Sequence, residues 1–264
     1  MSSRICRQIA LCIALIFSTS LHAAGNADKS GNASASSIDP LVDQIIKKAS
    51  DYLISAKSFA VHSNVTTDEF LPTGQKVQLS RSSRALVRRP DRLRAEIISD
   101  KGVTRLFYDG KEMSLFDMDR NVYASFKVSG GLDKAFDYAM DKYRLDAPLA
   151  DLLTDSLYEN VTAKTESSVY VGLNYLDDDY YHHMAFSYEN IDFQIWISDD
   201  EAPLIHKIVI TYKHLEGEPQ FMAILSGWDF NPRTPDFVFD FHPPIDADEI
   251  KFLPVSSGKK EVKK

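Results

Sequence analysis

The chain has 264 residues, 44% of them hydrophobic and 26% charged, with 30 Lys and Arg set against 38 Asp and Glu for a formal charge of -8. So much apolar content excludes wholesale disorder and is enough for one large all-β domain. The acidic balance, with no basic stripe to follow a phosphate backbone, argues against a nucleic acid partner.

Arg4 and Arg7 precede an apolar run at residues 9–17, and small residues follow around Ala23 and Ala24. A positive n-region, a short apolar centre and a small-residue cleavage point specify a secretory signal peptide over residues 1–23. The run is too short to span a bilayer, so the expected product is periplasmic and not membrane-spanning once the signal is removed. Both cysteines, Cys6 and Cys12, lie inside that signal, which leaves the mature chain without disulfides or thiolate metal sites. Leu11 stands before Cys12 where lipidation requires a small residue. Residues 24–37 are rich in Gly, Ser, Ala and Asn with no apolar period, the composition of a flexible leader.

The folded domain is expected to run from 38 to 254. Leu41, Ile45, Ile46, Ala49 and Leu53 recur at helical spacing over residues 39–55, with Asp39 as N-cap and Pro40 in the first turn. From Ser58 the period becomes two: Phe59, Val61, Ser63 and Val65 share one side of a strand, and Pro72, Thr73 and Gly74 turn the chain into a second. Arg81 and Ser83 interrupt the apolar side of that second strand, which predicts that its middle leaves the core or is bulged. Pro90 and Asp91 end it, because proline cannot donate a ladder hydrogen bond, and another begins near Leu93. Asp109 and Gly110 between two apolar-aromatic runs form a strong hairpin signal. A further strand is expected over residues 121–126.

The middle of the chain interrupts the sheet. Leu132, Ala135, Phe136, Ala139, Met140 and Tyr143 lie on one helical face, and after Pro148 a second short helix carries Leu149, Leu152 and Leu153. Two amphipathic helices inside a β chain must cover apolar surface, either as ordinary core or as a movable lid over a ligand cavity. Strands resume at Thr162, with Ile191, Phe193, Ile195 and Ile197 on one side of a central one. Phe237, Phe239 and Phe241 predict a last aromatic strand. The sum is ten to twelve antiparallel strands, too many for a flat open sheet. The fold class is therefore mainly β: a strongly curved antiparallel half-barrel with an N-terminal helix and two helices covering the concave side. Residues 255–264 read as a disordered basic tail.

Motifs that carry chemistry are lacking: there is no glycine-rich phosphate loop, no Gly-x-Ser-x-Gly elbow and no His-Glu-x-x-His. Asp177, Asp178 and Asp179 lack the spacing of a calcium loop and read as a solvated turn. His182 and His183 are adjacent, so a strand points them to opposite faces and they cannot share an ion. Asp199 and Glu201 sit in a hairpin turn with no burial to raise a carboxylate pKa. No metal, no cofactor and no enzymatic activity are expected.

Arg89-Pro90, Asp109-Gly110-Lys111, Phe116-Asp117, Pro148-Leu149 and the closing Phe239-Asp240-Phe241-His242-Pro243-Pro244 resemble the superfamily of the bacterial lipoprotein carriers LolA and LolB, over residues 41–253. More closely, His183-Met184-Ala185-Phe186, Asp192-Phe193-Gln194-Ile195-Trp196-Ile197, Pro203-Leu204, the run from Lys207 to Tyr212, Pro219-Gln220 and Trp228 resemble a family of predicted periplasmic proteins placed in that superfamily. The resemblance implies a half-open barrel closed by helices around an apolar concavity that accepts acyl chains in the carriers. It also implies that an arginine before the proline holds the lid through helix carbonyls, a role open to Arg89; a plain edge-strand cation is the other reading of that residue, with Arg88 beside it as competitor. The mature chain departs from the membrane-anchored receptor in having no lipidated cysteine, and its Gln194 and Trp196 pattern is not that of the carriers.

The expected function is periplasmic binding or carriage of a hydrophobic ligand, a lipid, an acyl chain or a lipoprotein. Arg89, Phe136, Met140, Leu149, Leu152, Leu153 and Trp196 are the expected ligand-binding or lid-latching residues. The alternative is an interaction or envelope-stress sensing module that binds an envelope protein and has no small-molecule ligand.

Overall fold

In a computed structural model of the chain, residues 38–145 and 147–253 are described. The segments expected to be a signal peptide, a leader over 24–37 and a tail over 255–264 lie outside them. Helix α1 (Pro40–Ser55) opens the fold. Asp39 caps it as its pattern predicts: Oδ1 accepts from the Leu41 amide at 2.8 Å and from that of Val42 at 3.4 Å. Val42, Ile45, Ile46, Ala49 and Leu53 are buried on one face.

Six strands follow as a meander: β1 (Ser58–Phe70), β2 (Lys76–Arg88), β3 (Arg92–Ser99), β4 (Gly102–Tyr108), β5 (Glu112–Asp117) and β6 (Val122–Lys127). Five more come after the helical insertion: β7 (Ser167–Leu176), β8 (Asp179–Ser187), β9 (Ile191–Ser198), β10 (Ile205–Tyr212) and β11 (Gln220–Asp229). A two-residue strand, β12 (Asp248–Glu249), lies parallel to β6. All twelve form one sheet in the order β12-β6-β5-β4-β3-β2-β1-β11-β10-β9-β8-β7. The two meanders are thus joined by antiparallel pairing of β1 with β11, and the curved sheet stays open, ending at β7 on one side and β12 on the other.

Local chemistry explains the turns. Asp109 Oδ1 accepts from the amides of Lys111 and Glu112, both at 2.8 Å, while Gly110 adopts φ +87° beside the Asp91 and Arg92 side chains. A side chain at Gly110 would meet both the strained backbone angle and those neighbours. The interruption at Arg81 and Ser83 is not a bulge, since β2 pairs with β1 residue for residue along its whole length. The far half of β2 leaves the core, and the Ser83 hydroxyl bonds Ser63 across the pair at 2.6 Å.

The insertion begins with α2 (Leu132–Tyr143), which buries Leu132, Ala135 and Ala139. The second predicted helix is instead a single 3-10 turn, Ala150–Leu153, with the Ala150 amide on the Ala147 carbonyl and the Leu152 amide on that of Leu149. Pro148 starts it and only four residues continue it, too few to propagate α geometry. A helix that the pattern did not suggest, α3 (Leu157–Thr162), comes next and buries Leu157 and Val161. Strands therefore resume at Ser167, not at Thr162.

The last aromatic strand is also a correction. Asp236–Val238 is a 3-10 turn, and residues 230–247 form no strand. Pro232, Pro235, Pro243 and Pro244 remove the amides a ladder needs. This segment instead works as a strap. Phe239 is fully buried under the Arg88 guanidinium, 5.2 Å from its ring centre, and Phe241 packs on Phe107, Phe116 and Tyr123 with centroids 5.3 to 5.8 Å apart. After β12, Phe252 turns onto Phe126 and Tyr143. Among the described residues no helix is long and apolar enough to cross a membrane.

Candidate functional site

The inner face of the sheet carries one large apolar cluster that takes in α1, α2, α3 and residues from most of the strands. Over β1 to β6 the inward residues Phe59, Val61, Val87, Leu93, Tyr108, Met113 and Phe126 are buried. The filling is incomplete over β9 and β10, where a half-open cavity of about 690 Å³ remains. Phe193, Ile195, Ile208 and Ile210 form its floor, and Leu152, Leu157 and Val161 form a wall. Period-two alternation on two adjacent strands makes that floor: each strand turns every second side chain inward.

Polar groups are confined to the rim. Asp137, Asp151, Asn160, Lys164, Glu166 and Glu189 stand there. Asp151 accepts a hydrogen bond from Asn160 Nδ2 at 2.8 Å. Partial removal of its carboxylate from water pushes Asp151 above the ordinary aspartate value, aided by the charges of Asp133 and Asp137 and opposed by the Asn160 bond and Lys164. Tyr188 reaches across from the β8–β9 hairpin and donates to the Val161 carbonyl at 2.5 Å. Burial drives that phenol up to about 12. Tyr158 donates to Asp43 on α1 at 2.6 Å, so α3 is held from both sides.

The turn around Pro90 ties the helical insertion to the sheet. The Pro90 carbonyl accepts from the Leu132 amide at 2.9 Å, at the start of α2, and Tyr108 donates to the Gly130 carbonyl at 2.7 Å just before it. Arg89 projects inward with its side chain only 9% exposed. Its Nη1 donates to the Leu153 carbonyl at 3.0 Å and pairs with Asp155, and its guanidinium lies 5.5 Å from the centre of the Phe59 ring. Burial lowers its pKa, against the opposing charges of Asp155 and Asp133. Arg88 points the other way and donates to the Thr234 carbonyl at 2.7 Å while pairing with Asp236. Strand alternation thus separates the two arginines: Arg89 meets the 3-10 turn and Arg88 meets the strap.

Of the residues singled out in the sequence, Leu152 lines the cavity and Arg89 bonds the turn that bears it. Phe136 and Leu153 pack against the main core cluster, and Leu149 lies between that cluster and a smaller one of Val65, Phe221 and Ala223. Met140 is half-buried and outside the cavity lining. Trp196 does not join them. It belongs to a different cluster with Tyr181 and Val209, stacks on His183 at 4.0 Å and carries Lys207 at 4.8 Å from its ring centre. Its neighbours Ile195 and Ile197 face the main core, so the period of the strand turns Trp196 away from it. The floor and Tyr188 were missed as site residues. Their signal was the alternation of Phe193 and Ile195, which reads equally as core.

His182 and His183 diverge as expected: the first bonds Tyr170 and Asp199, the second Gln194. Among the described residues no group of three or more His, Cys, Asp and Glu could hold a metal ion.

Comparison with known proteins gives three similar solved structures among those found. LprF from Mycobacterium bovis is 16% identical, with 75% of this chain and 97% of that chain covered and a TM-score of 0.46. The lipoprotein LppX from Mycobacterium tuberculosis is 13% identical, with 74% and 98% covered and a TM-score of 0.46. A LolA superfamily protein from Nitrosomonas europaea is 13% identical, with 75% and 96% covered and a TM-score of 0.38. No curated protein matches the sequence. The model of one family, DUF2092, described as predicted periplasmic protein, matches residues 42–253 and so spans nearly all of the described chain, and this periplasmic protein belongs to that family.

Proposed function

We propose that the protein binds and carries an apolar ligand, a lipid or acyl chain, in the cavity between α3, the 150–153 turn and the inner face of β9 and β10. In this reading residues 1–23 direct export and are removed, and the mature chain works in the periplasm. One observation supports it above others: about 690 Å³ of space floored by Phe193, Ile195, Ile208 and Ile210, with charge only at the rim. That volume falls within the roughly 300–1,000 Å³ of small-molecule sites. Removing an acyl chain from water over such a floor contributes about 25 cal/mol per Å² of apolar surface. The Arg89 bond to the Leu153 carbonyl then acts as a latch on the turn that carries Leu152, and release of that turn widens the entrance.

Delipidated protein is offered an environment-sensitive fluorescent fatty acid, then unlabelled lipids as competitors, with native mass spectrometry to read any adduct. Ile208→Glu places an unpaired charge on the floor and is expected to weaken binding about tenfold or more. Ile210→Asn, at a half-buried position, provides a gentler second variant should Ile208→Glu fold poorly. A protein that takes up no lipid, or whose uptake is indifferent to both substitutions, would sink the carrier reading.

A further inference from the structure

The two ends of the sheet are finished differently. β6 is covered by β12 and the strap, whereas β7 has no backbone partner on its outer side among the described residues. Bare edges are ordinarily blunted by lysine, proline or cover, because their free amides and carbonyls pair with any extended chain. β7 has neither lysine nor proline: its ten residues, Ser167–Leu176, carry no charge in a chain where 26% of residues do.

A register shift between Tyr170 and Gly172 divides the edge into two arms. The second arm, residues 172–176, is the better platform. Leu173 and Tyr175 are 47% and 64% exposed, and Tyr180 across the hairpin is 53% exposed, with the two tyrosine rings 5.1 Å apart. Gly172, at φ +143°, begins this arm and presents no side chain on either face. The arm runs straight into Asp177, Asp178 and Asp179. Asp177 is engaged by His206 and Asp178 by the Tyr175 hydroxyl, and among the described residues no lysine or arginine forms an ion pair with any of the three.

We propose that the 172–176 arm of β7 is a docking edge for an extended segment of another protein, apolar at alternate positions and basic at the end that meets residues 177–179. Backbone ladder bonds supply affinity, Leu173, Tyr175 and Tyr180 select side chains of one parity, and the acidic turn sets register. Charge complementarity favours such a partner over a second copy of this chain, since β7 itself offers no cation to the turn.

The test is fluorescence anisotropy of the exported chain with the labelled peptide Lys-Lys-Val-Thr-Val-Thr-Val. Saturable binding is expected, weakened about tenfold or more by Tyr175→Lys, by Leu173→Lys, or by exchange of the two lysines for glutamates. Both positions are exposed, so circular dichroism should show an unchanged fold. Absence of binding, indifference to the two substitutions, or equal affinity for the glutamate peptide overturns the proposal. So does concentration-dependent dimerisation abolished by the same substitutions, which gives the edge to a second copy. Binding only after deletion of residues 24–37 gives it to the leader and likewise overturns the proposal.

Discussion

The two wings of the sheet treat the same problem in opposite ways. Over β2 to β6 both faces are occupied: α2 packs inside, and the strap buries Phe239 beneath Arg88, lays Phe241 on Phe107, Phe116 and Tyr123, and leads into β12 at the edge. Over β7 to β10 the inner filling leaves a cavity, and among the described residues no further strand pairs with β7. One wing is built for permanence and the other retains unused surface. The cavity and the exposed apolar groups of that wing, Val169, Val171, Leu173 and Tyr175 on β7, are the surfaces to which the two proposals turn.

The comparison breaks most directly at Phe239. Phe239→Ala removes a fully buried ring and is expected to cost about 3–5 kcal/mol in denaturant-unfolding stability. Hydrogen exchange should then rise along β4, β5 and β6, which lie beneath the strap, and little along β8 and β9. Equal loosening of both wings would mean that the strap supports the whole sheet and that the contrast is wrong.

Arg89 joins the wings, since it follows the end of β2 and bonds the turn that bears Leu152. Arg89→Met deletes the bond to the Leu153 carbonyl and the pair with Asp155, and is expected to cost about 1–3 kcal/mol. Asp155 keeps half its surface in water and resolvates. Exchange should quicken at residues 150–155 first, and the fluorescent fatty acid should enter and leave faster. A turn that stays protected in this variant would show Arg89 to be a packing residue without a latching role.

Tyr188 probes the open wing alone. Tyr188→Phe loses the bond to the Val161 carbonyl and is expected to cost about 1 kcal/mol. The folded-state phenol titrates at about 12, above the ordinary 10.0. Its contribution is therefore fully present below pH 10 and is lost as the pH rises through about 12. Ultraviolet titration should show one tyrosine fewer ionising near pH 12 in the variant, and its alkaline unfolding limb should flatten. An unchanged titration would leave the contact between α3 and the hairpin without energetic weight.

Much of the architecture was legible because its signals are local. Asp39 and Pro40 announce a helix start, Asp109 and Gly110 a hairpin, and the alternation of Phe59, Val61, Ser63 and Val65 an inward face, each within a few residues. The misreadings fell where a short-range pattern fits two states. Leu149, Leu152 and Leu153 suit a helix but receive only a 3-10 turn, Leu157 and Val161 make one helical turn too brief to register, and Phe237, Phe239 and Phe241 alternate like a strand yet lie in a proline-bounded strap. At the site, the face that Trp196 occupies depends on strand parity, which sets it in the cluster with Tyr181 and Val209 and not with Ile195 and Ile197.

By itself the sequence determined most of the antiparallel strands, the helix before them, the pair of arginines ahead of Pro90 and the acidic balance of the chain. Periodicity, turn chemistry and charge are properties of neighbouring residues, so they survive without knowledge of the fold. Only the tertiary structure decided which inward-facing residues meet a partner and which line open space. Phe59 and Ile195 carry the same alternating signature and both are buried, but only Ile195 borders the cavity, a difference set by where the helices of the insertion come to rest.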